Sequence, residues 1–320
     1  MQELSHPSTE QEFFPSIHQA QMVTTTQFLH HTKVPEHPSQ TLTTDYTAAL
    51  SHQSPQLPKY SSRQITVVGG RGMMGQFLVQ QLSAAGHIVN ILEQDNWSHA
   101  KELLDGADLA LICVPIECTQ TVIGDIAQYL SPTTALADIT SVKAPIVQTM
   151  LACHRGPVMG LHPMFGPNVC SFLSQNIVVC PGRQNEAFQW LLELIKQEGG
   201  KLMICTPEEH DKLMVTIQSI RHFLTFSLGI FLAEEEIDIQ RSLELSSPSY
   251  RELIDMTNRL FSQSAELVTD IMLFTQERRE AIVKLADTFN RLAKLAVDND
   301  RESLIGEFQS AQSLWTALSS

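Results

Sequence analysis

Residues 65–75 read Ile-Thr-Val-Val-Gly-Gly-Arg-Gly-Met-Met-Gly, and no other segment restricts the fold of this chain as strongly. A short apolar strand runs directly into Gly70-x-Gly72-x-x-Gly75 and then into residues suited to a helix. In such a strand–turn–helix the first glycine permits the tight turn, the second lets backbone approach a pyrophosphate, and the third allows helix and strand to pack closely. The helix N-terminus adds free N–H groups and a partial positive charge facing the phosphates. Arg71, Met73 and Met74 lie within the same segment and are counted with Gly70, Gly72 and Gly75 as cofactor-binding candidates.

A second β-rich run, His87–Leu92, ends in Glu93, 18 residues after Gly75. A carboxylate there accepts hydrogen bonds from both ribose hydroxyls and repels a 2′-phosphate, so NAD is expected rather than NADP. A third run, Leu109–Val114, ends at Val114-Pro115, on the carboxyl edge where open α/β sheets bind ligands.

Composition divides the chain into three. Residues 1–60 contain no Gly, six Pro, six His and 23 Ser, Thr or Gln, and they read as a disordered polar tail without enough apolar surface to offset ordering entropy. Residues 61–206 hold 13 of the 15 Gly, and seven β-rich runs alternate there with helical stretches, which predicts βαβ units and a mostly parallel Rossmann-type sheet. Residues 207–320 contain two Gly and two Pro, which predicts an all-helical domain. Its first helix starts at Thr206-Pro207, and the stretch Leu213–Ala233 is apolar nearly all round. That pattern implies burial on every side, partly against a second copy of the chain.

The net charge of −14 argues against nucleic acid and against an anionic membrane surface. By our reading no segment is both long enough and free enough of charge to cross a bilayer, and the N-terminus lacks the pattern of a secretory signal. The six cysteines form no CxxC pair, so buried cytoplasmic thiols are expected rather than disulfides or a metal site.

Three further segments should meet at the carboxyl edge of the sheet: Asp138-Ile-Thr-Ser-Val-Lys143, Gly160-Leu-His-Pro-Met-Phe-Gly-Pro167, and the helices near His210–His222 and Tyr250–Arg259. His162 follows a strand, with Pro163 fixing the turn beside it, and an imidazole of pKa near ~6.5 suits general base work. Together with the glycine segment and Ser246-Ser-Pro-Ser-Tyr-Arg-Glu252, these strings resemble the prephenate dehydrogenase family. They are most similar to the dehydrogenase half of its two-headed chorismate mutase–prephenate dehydrogenases. The likeness runs from about residue 62 nearly to the C-terminus.

The resemblance implies NAD-dependent oxidative decarboxylation of prephenate in tyrosine biosynthesis, in a cytoplasmic homodimer. It implies His162 as catalytic base and Ser141 as its hydrogen-bonding partner near the substrate hydroxyl. It further implies Arg259 as the guanidinium that grips a substrate carboxylate, and His222 as a contact to the substrate side chain and to an inhibitory tyrosine. Lys143 and Arg251 match basic family positions and are carried as substrate-binding candidates of more structural character. His210 also matches, but Glu209 and Asp211 on either side suggest a surface position. Asn168 stands where the two-headed relatives have an acid. A mutase half is a helical domain of about 90 residues, larger than the 60-residue tail, so no chorismate mutase activity is expected.

Arogenate dehydrogenase is the nearest alternative. A ketopantoate-type reductase would need a catalytic lysine where only Lys212 stands, at the start of the first helix. A non-catalytic NAD- or tyrosine-binding module would have degraded Ser141, His162 and Arg259, and all three are present.

Overall fold

A computed structural model describes residues 61–318, so the expected polar tail lies outside the described residues. Seven strands form one sheet: β1 (Gln64–Val68), β2 (Ile88–Leu92), β3 (Leu109–Ile112), β4 (Ala135–Asp138), β5 (Val158–Pro163), β6 (Asn176–Arg183) and β7 (Lys201–Ile204). Their order is β2-β1-β3-β4-β5-β6-β7, with only the β5–β6 pair antiparallel. All seven predicted runs are strands. Each is an apolar stretch bounded by Gly, Pro or a polar cap, and backbone pairing satisfies its N–H and C=O groups; the central strands β1, β3, β4 and β5 are buried on both faces, whereas the edge strand β7 leaves Met203 and Ile204 exposed.

Helices α1 (Met73–Ala84), α2 (Ala100–Leu104), α3 (Thr119–Ala127), α4 (Ala144–Cys153) and α5 (Gln189–Gln197) cover both faces. Strand alternation divides the core accordingly. Ile65 and Val67 pack with Phe77 and Leu82 of α1 and Leu191 of α5, while Val68 packs with Ile123 of α3 and Met150 of α4. Each such side chain, fully buried, contributes about 1.5–3 kcal/mol. The chain reverses its winding between β1 and β3, so the crevice where ligands bind such sheets opens beyond Val68 and Ile112.

The rest is helical: α6 (Pro207–Met214), a π-helical segment Val215–Ile220, α7 (Arg221–Glu234), α8 (Ile239–Glu244), α9 (Pro248–Phe261), α10 (Ala265–Leu273), α11 (Gln276–Val297) and α12 (Arg301–Leu318). Side-chain caps mark the starts of α6 at Thr206, α9 at Ser247, α10 at Ser264 and α11 at Thr275. These helices and the sheet layers belong to one compact unit.

Three expectations need correction here. Pro207–Glu234 is long and apolar enough by length and composition to cross a membrane. Yet most of the side chains it buries are polar: His210, Gln218, Ser219, His222 and Thr225. Nor is the stretch buried on every side, since Leu213, Leu224, Ile230 and Phe231 are exposed. The cysteines are free, but only Cys180 is buried, and Cys153 and Cys170 are exposed.

Candidate active site

At the glycine turn, Gly69 N donates to the Leu92 carbonyl (2.9 Å) and Gly72 N to the Gly69 carbonyl (3.2 Å). The positive φ of the turn belongs to Gly69 (+83°), which sequence reasoning had not singled out. Gly70 is required for a different reason: a Cβ there would lie 2.9 Å from Ile91 Cγ2 on the neighbouring strand. At Gly75 a Cβ would lie 2.2 Å from the Gly69 carbonyl oxygen, so α1 can approach the turn only through a glycine. Gly72 caps α1 without a side-chain hydrogen bond, and a Cβ at Gly72 would meet nothing closer than 3.4 Å. The first N–H groups of α1 therefore face an open cradle, bordered by the exposed Met73 and the partly buried Met74.

Glu93 sits beside this cradle. Its Oε1 accepts from Arg71 N at 2.6 Å, and the Arg71 guanidinium pairs with Asp95 at 2.6 Å. Val114 packs against the turn, where its Cγ1 would be 3.0 Å from a Cβ on Gly69. Pro115 begins the next helical turn, and its carbonyl accepts from Thr119 Oγ1 at 2.9 Å. All nine cofactor candidates thus lie on one rim of the sheet.

Three strand spacings, roughly 14 Å, separate β1 from β5. On β5 lies His162, 3% exposed. Its Nδ1 is 2.8 Å from His210 Nε2, and its Nε2 is 3.3 Å from the Gln218 amide nitrogen. His210 Nδ1 in turn donates to Asp211 Oδ1 at 2.7 Å. Asp211 is fixed by two backbone donors at the start of α4, Lys143 N and Ala144 N, each at 2.8 Å. Burial, then His210, Lys143 and Arg278, push the His162 pKa well below the usual imidazole value. Burial works against the Asp211 carboxylate, but His210 and the two backbone donors hold its pKa below the usual range.

The structure revises several roles. His210 is not a surface residue; it is 1% exposed and bonded to His162. Lys143 does not reach a substrate. Its side chain is fully buried, with Nζ donating to Asp138 and to the Leu161 carbonyl. Burial lowers its pKa, and Asp138 opposes that effect. The Ser141 hydroxyl makes no hydrogen bond to His162 or to any other described residue; its carbonyl accepts from Arg278 Nη2 at 3.0 Å. His222 is a locally satisfied core residue, its Nδ1 donating to the Gln218 carbonyl at 2.6 Å, and burial lowers its pKa to about 4.

Arg259 and Arg251 are both exposed on α9, and neither forms an ion pair among the described residues. Arg259 lies near Arg221, whose pKa is lowered by burial and then by Arg259. Asn168 is exposed on the loop after β5. Sequence reasoning missed Gln218, Arg221 and Arg278 and undervalued His210. One signal was available: His210, Met214, Gln218 and His222 recur every four residues, which marks a single helix face.

A family model described as "Prephenate dehydrogenase, nucleotide-binding domain" matches residues 80–204, and one described as "Prephenate dehydrogenase, dimerization domain" matches residues 206–310. The chain is 40% identical over 246 residues to the T-protein of Enterobacter agglomerans and 39% identical over 245 residues to that of Haemophilus influenzae. Each match takes in 77% of this chain, and 66% and 65% of the two relatives, so the chain spans just under two thirds of their length. Among solved structures, a prephenate dehydrogenase from A. aeolicus in complex with hydroxyphenyl propionate and NAD+ matches with a TM-score of 0.63 at 16% identity, covering 82% of this chain and 100% of that one. The Synechocystis arogenate dehydrogenase matches with a TM-score of 0.56 at 21% identity, covering 79% and 99%. At those identities the structural likeness speaks for the fold.

Proposed function

This chain belongs to the prephenate dehydrogenase family, and on that basis we propose that it oxidises prephenate with NAD, releasing CO2 and 4-hydroxyphenylpyruvate in tyrosine biosynthesis. The observation that carries the reading is His162, a buried imidazole whose Nδ1 is engaged by His210 and whose Nε2 is met only by the Gln218 amide. It stands on the same edge of the sheet as the glycine cradle and about 14 Å away from it, a separation that suits a dinucleotide better than a mononucleotide.

The residues present fit NAD. The N–H groups at the start of α1 would hold the pyrophosphate, Gly72 would leave room for it, and Glu93 would accept from the ribose hydroxyls. When bound, NAD supplies the hydride acceptor. His162 Nε2 takes the proton of the substrate 4-hydroxyl as the C4 hydride departs. Loss of the ring carboxylate as CO2 leaves its electron pair to the ring, which becomes aromatic. Because His162 stays neutral well below the ordinary imidazole pKa, the base is ready at neutral pH. Arg259 and Arg221 supply guanidinium groups for the carboxylates. Ser141 lies beside the same loop, its backbone fixed by Arg278.

The chain acts as a cytoplasmic homodimer. Leu224, Leu228 and Phe231 of α7, Leu253 and Met256 of α9, and Phe289 of α11 line an apolar cavity of about 430 Å³ suited to a second copy, and the second family match bears the description of a dimerisation domain. Tyrosine, which carries the aromatic ring and one carboxylate, competes with substrate at the arginines.

The test is NADH formation from prephenate and from arogenate in parallel, with NADP as control and tyrosine as inhibitor. Prephenate with NAD should be turned over, and His162→Asn should remove most of the rate, about 100-fold or more. Turnover of arogenate alone would move the chain to the amino-substrate side of the family, and turnover of neither would sink the reading. Arg259→Gln should raise KM with a smaller effect on kcat.

A further inference from the structure

A single line of contacts connects the start of α4 to the imidazole on β5, and its chemistry has a direction. Asp211 accepts from Lys143 N and Ala144 N, and an ionised carboxylate can only accept. The proton in the 2.7 Å contact between Asp211 Oδ1 and His210 Nδ1 therefore sits on His210. A neutral His210 then presents a lone pair at Nε2. Only a proton on His162 Nδ1 can fill the 2.8 Å contact between the two rings. That leaves the His162 lone pair on Nε2, where the Gln218 amide donates to it across 3.3 Å. The other amide atom, Gln218 Oε1, is buried and has no hydrogen-bond partner. A buried acceptor without a donor is costly, and a ligand hydroxyl beside His162 would relieve it.

We propose that His210 and Asp211 are positioning residues that lock His162 in the Nδ1–H tautomer, and that Gln218 guides the substrate hydroxyl onto the free Nε2. The identity of that hydroxyl rests on the proposed prephenate reading; the tautomer does not. In the proton transfer the hydroxyl O–H bond breaks and an Nε2–H bond forms. The resulting imidazolium keeps its Nδ1–H on His210, with the Asp211 carboxylate one ring further on. The reverse polarity, with His162 carrying its proton on Nε2 and donating to Gln218, would need a cationic His210 and would leave no lone pair for the base.

The test is a ¹⁵N–¹H long-range correlation spectrum of the full chain labelled on histidine nitrogens, at neutral pH. The His162 signals are assigned by their loss in His162→Asn. The expected spectrum shows His162 with a protonated Nδ1 and a bare Nε2. His210→Phe, which removes the acceptor, should give a mixture of both tautomers. His210→Gln, whose side-chain oxygen can accept from Nδ1, should restore the single form. With NAD and the working substrate, His210→Phe should lower kcat about 10- to 100-fold, with KM held within about threefold, and His210→Gln should regain part of the loss. Gln218→Leu should lower kcat/KM without changing the tautomer. An Nε2-protonated His162 in the native chain, or an unchanged tautomer in His210→Phe, overturns the proposal. If neither prephenate nor arogenate is turned over, the functional reading fails while the tautomer spectra still decide this one.

Discussion

Replacing Lys143 by Met retains most of the side-chain volume and deletes the ammonium. In the native protein that ammonium donates to Asp138 and to the Leu161 carbonyl at 2.7 Å, and both members of the pair are 0% exposed. Without it, Asp138 keeps Thr140 N at 2.9 Å and Thr140 Oγ1 at 2.5 Å, both on Oδ2. Its Oδ1 has no partner even when Lys143 is present. Removing one member of a buried pair costs about 3–5 kcal/mol, because the charge left behind cannot be hydrated. For a chain of this size a urea m-value of about 3 kcal/mol per molar is expected, so a loss of about 4 kcal/mol lowers the unfolding midpoint by roughly 1.3 M. The assay is urea unfolding followed by circular dichroism, with KM measured on the folded protein. Adding Asp138→Asn, which neutralises the stranded carboxylate, should recover a substantial part of the loss in the double variant. A midpoint within about 0.2 M of the native one, together with a KM raised about tenfold, would place the ammonium at the substrate and refute the reasoning.

Other replacements probe other layers of the molecule. Gly75→Ala sets a Cβ against the Gly69 carbonyl oxygen at 2.2 Å, forcing α1 off the turn; NAD affinity by calorimetry should fall about tenfold or more and stability by about 1–3 kcal/mol, and unchanged NAD binding would count against the cradle. His222 is held neutral down to about pH 4, whereas in the unfolded chain it titrates near ~6.5. The unfolded state therefore binds more protons in that window, and the stability His222 contributes is complete above ~6.5 and lost as pH falls toward 4, on the order of 3 kcal/mol. His222→Gln should flatten the fall in urea midpoint between about pH 7 and about pH 4.5, and an unaltered slope would contradict the assignment. Phe231, 55% exposed on the apolar face of α7, is the position at which Glu should convert a dimer into monomers by light scattering. A dimer of undiminished affinity would place the interface elsewhere.

The sheet was legible because each strand is a short apolar run closed by a breaker. Gln64–Val68 coincides with β1 residue for residue, and the other runs differ only at their ends. The glycine turn was legible in kind but not in detail. Two adjacent glycines, Gly69 and Gly70, are equally able to adopt a positive φ, and only the register of β1 against β2 and β3 decides which one does. His162 could be found because it closes an apolar run next to a proline, although the strand in fact extends through both residues. His210 was misjudged because Glu209 is exposed while the His210 ring turns inward, and Asp211 turns inward with it to accept from that ring and from the start of α4, a matter of helical phase and tertiary contact rather than of composition. Lys143 resembled a substrate contact because its partner, Asp138, lies on the preceding strand end and nothing in the local pattern tells a buried pair from an exposed one. Arg278 could not have been read at all. It bonds to a carbonyl 137 residues earlier in the chain, and only the packing of α11 against the loop after β4 brings the two together.

The arrangement of cations resolves an apparent conflict in the charge of the protein. The chain carries a net −14, and residues 207–320 contribute −8 of it, yet those same helices supply the arginines nearest the base. Arg278 is 1% exposed and bonds only to backbone carbonyls, Ile271 at 2.6 Å and Ser141 at 3.0 Å, and burial lowers its pKa. Arg221 is depressed by burial and by Arg259, and neither of those two has a carboxylate within ion-pair distance among the described residues. The pKa of His222 is lowered first by burial and then by the charges of Arg221 and Arg278. One acid of the helical region, Asp211, lies inside the relay, held by His210 and by the start of α4, and it partly offsets the burial of Arg278; Arg278, Arg221 and Arg259 themselves form no ion pair among the described residues. Such groups are held at a cost in the free protein, and a dianionic ligand lowers that cost when it binds. If prephenate is the substrate, as proposed, these unpaired guanidinium groups select it, and the acidic surface elsewhere leaves them intact because screening confines the influence of exposed charges to roughly 10 Å.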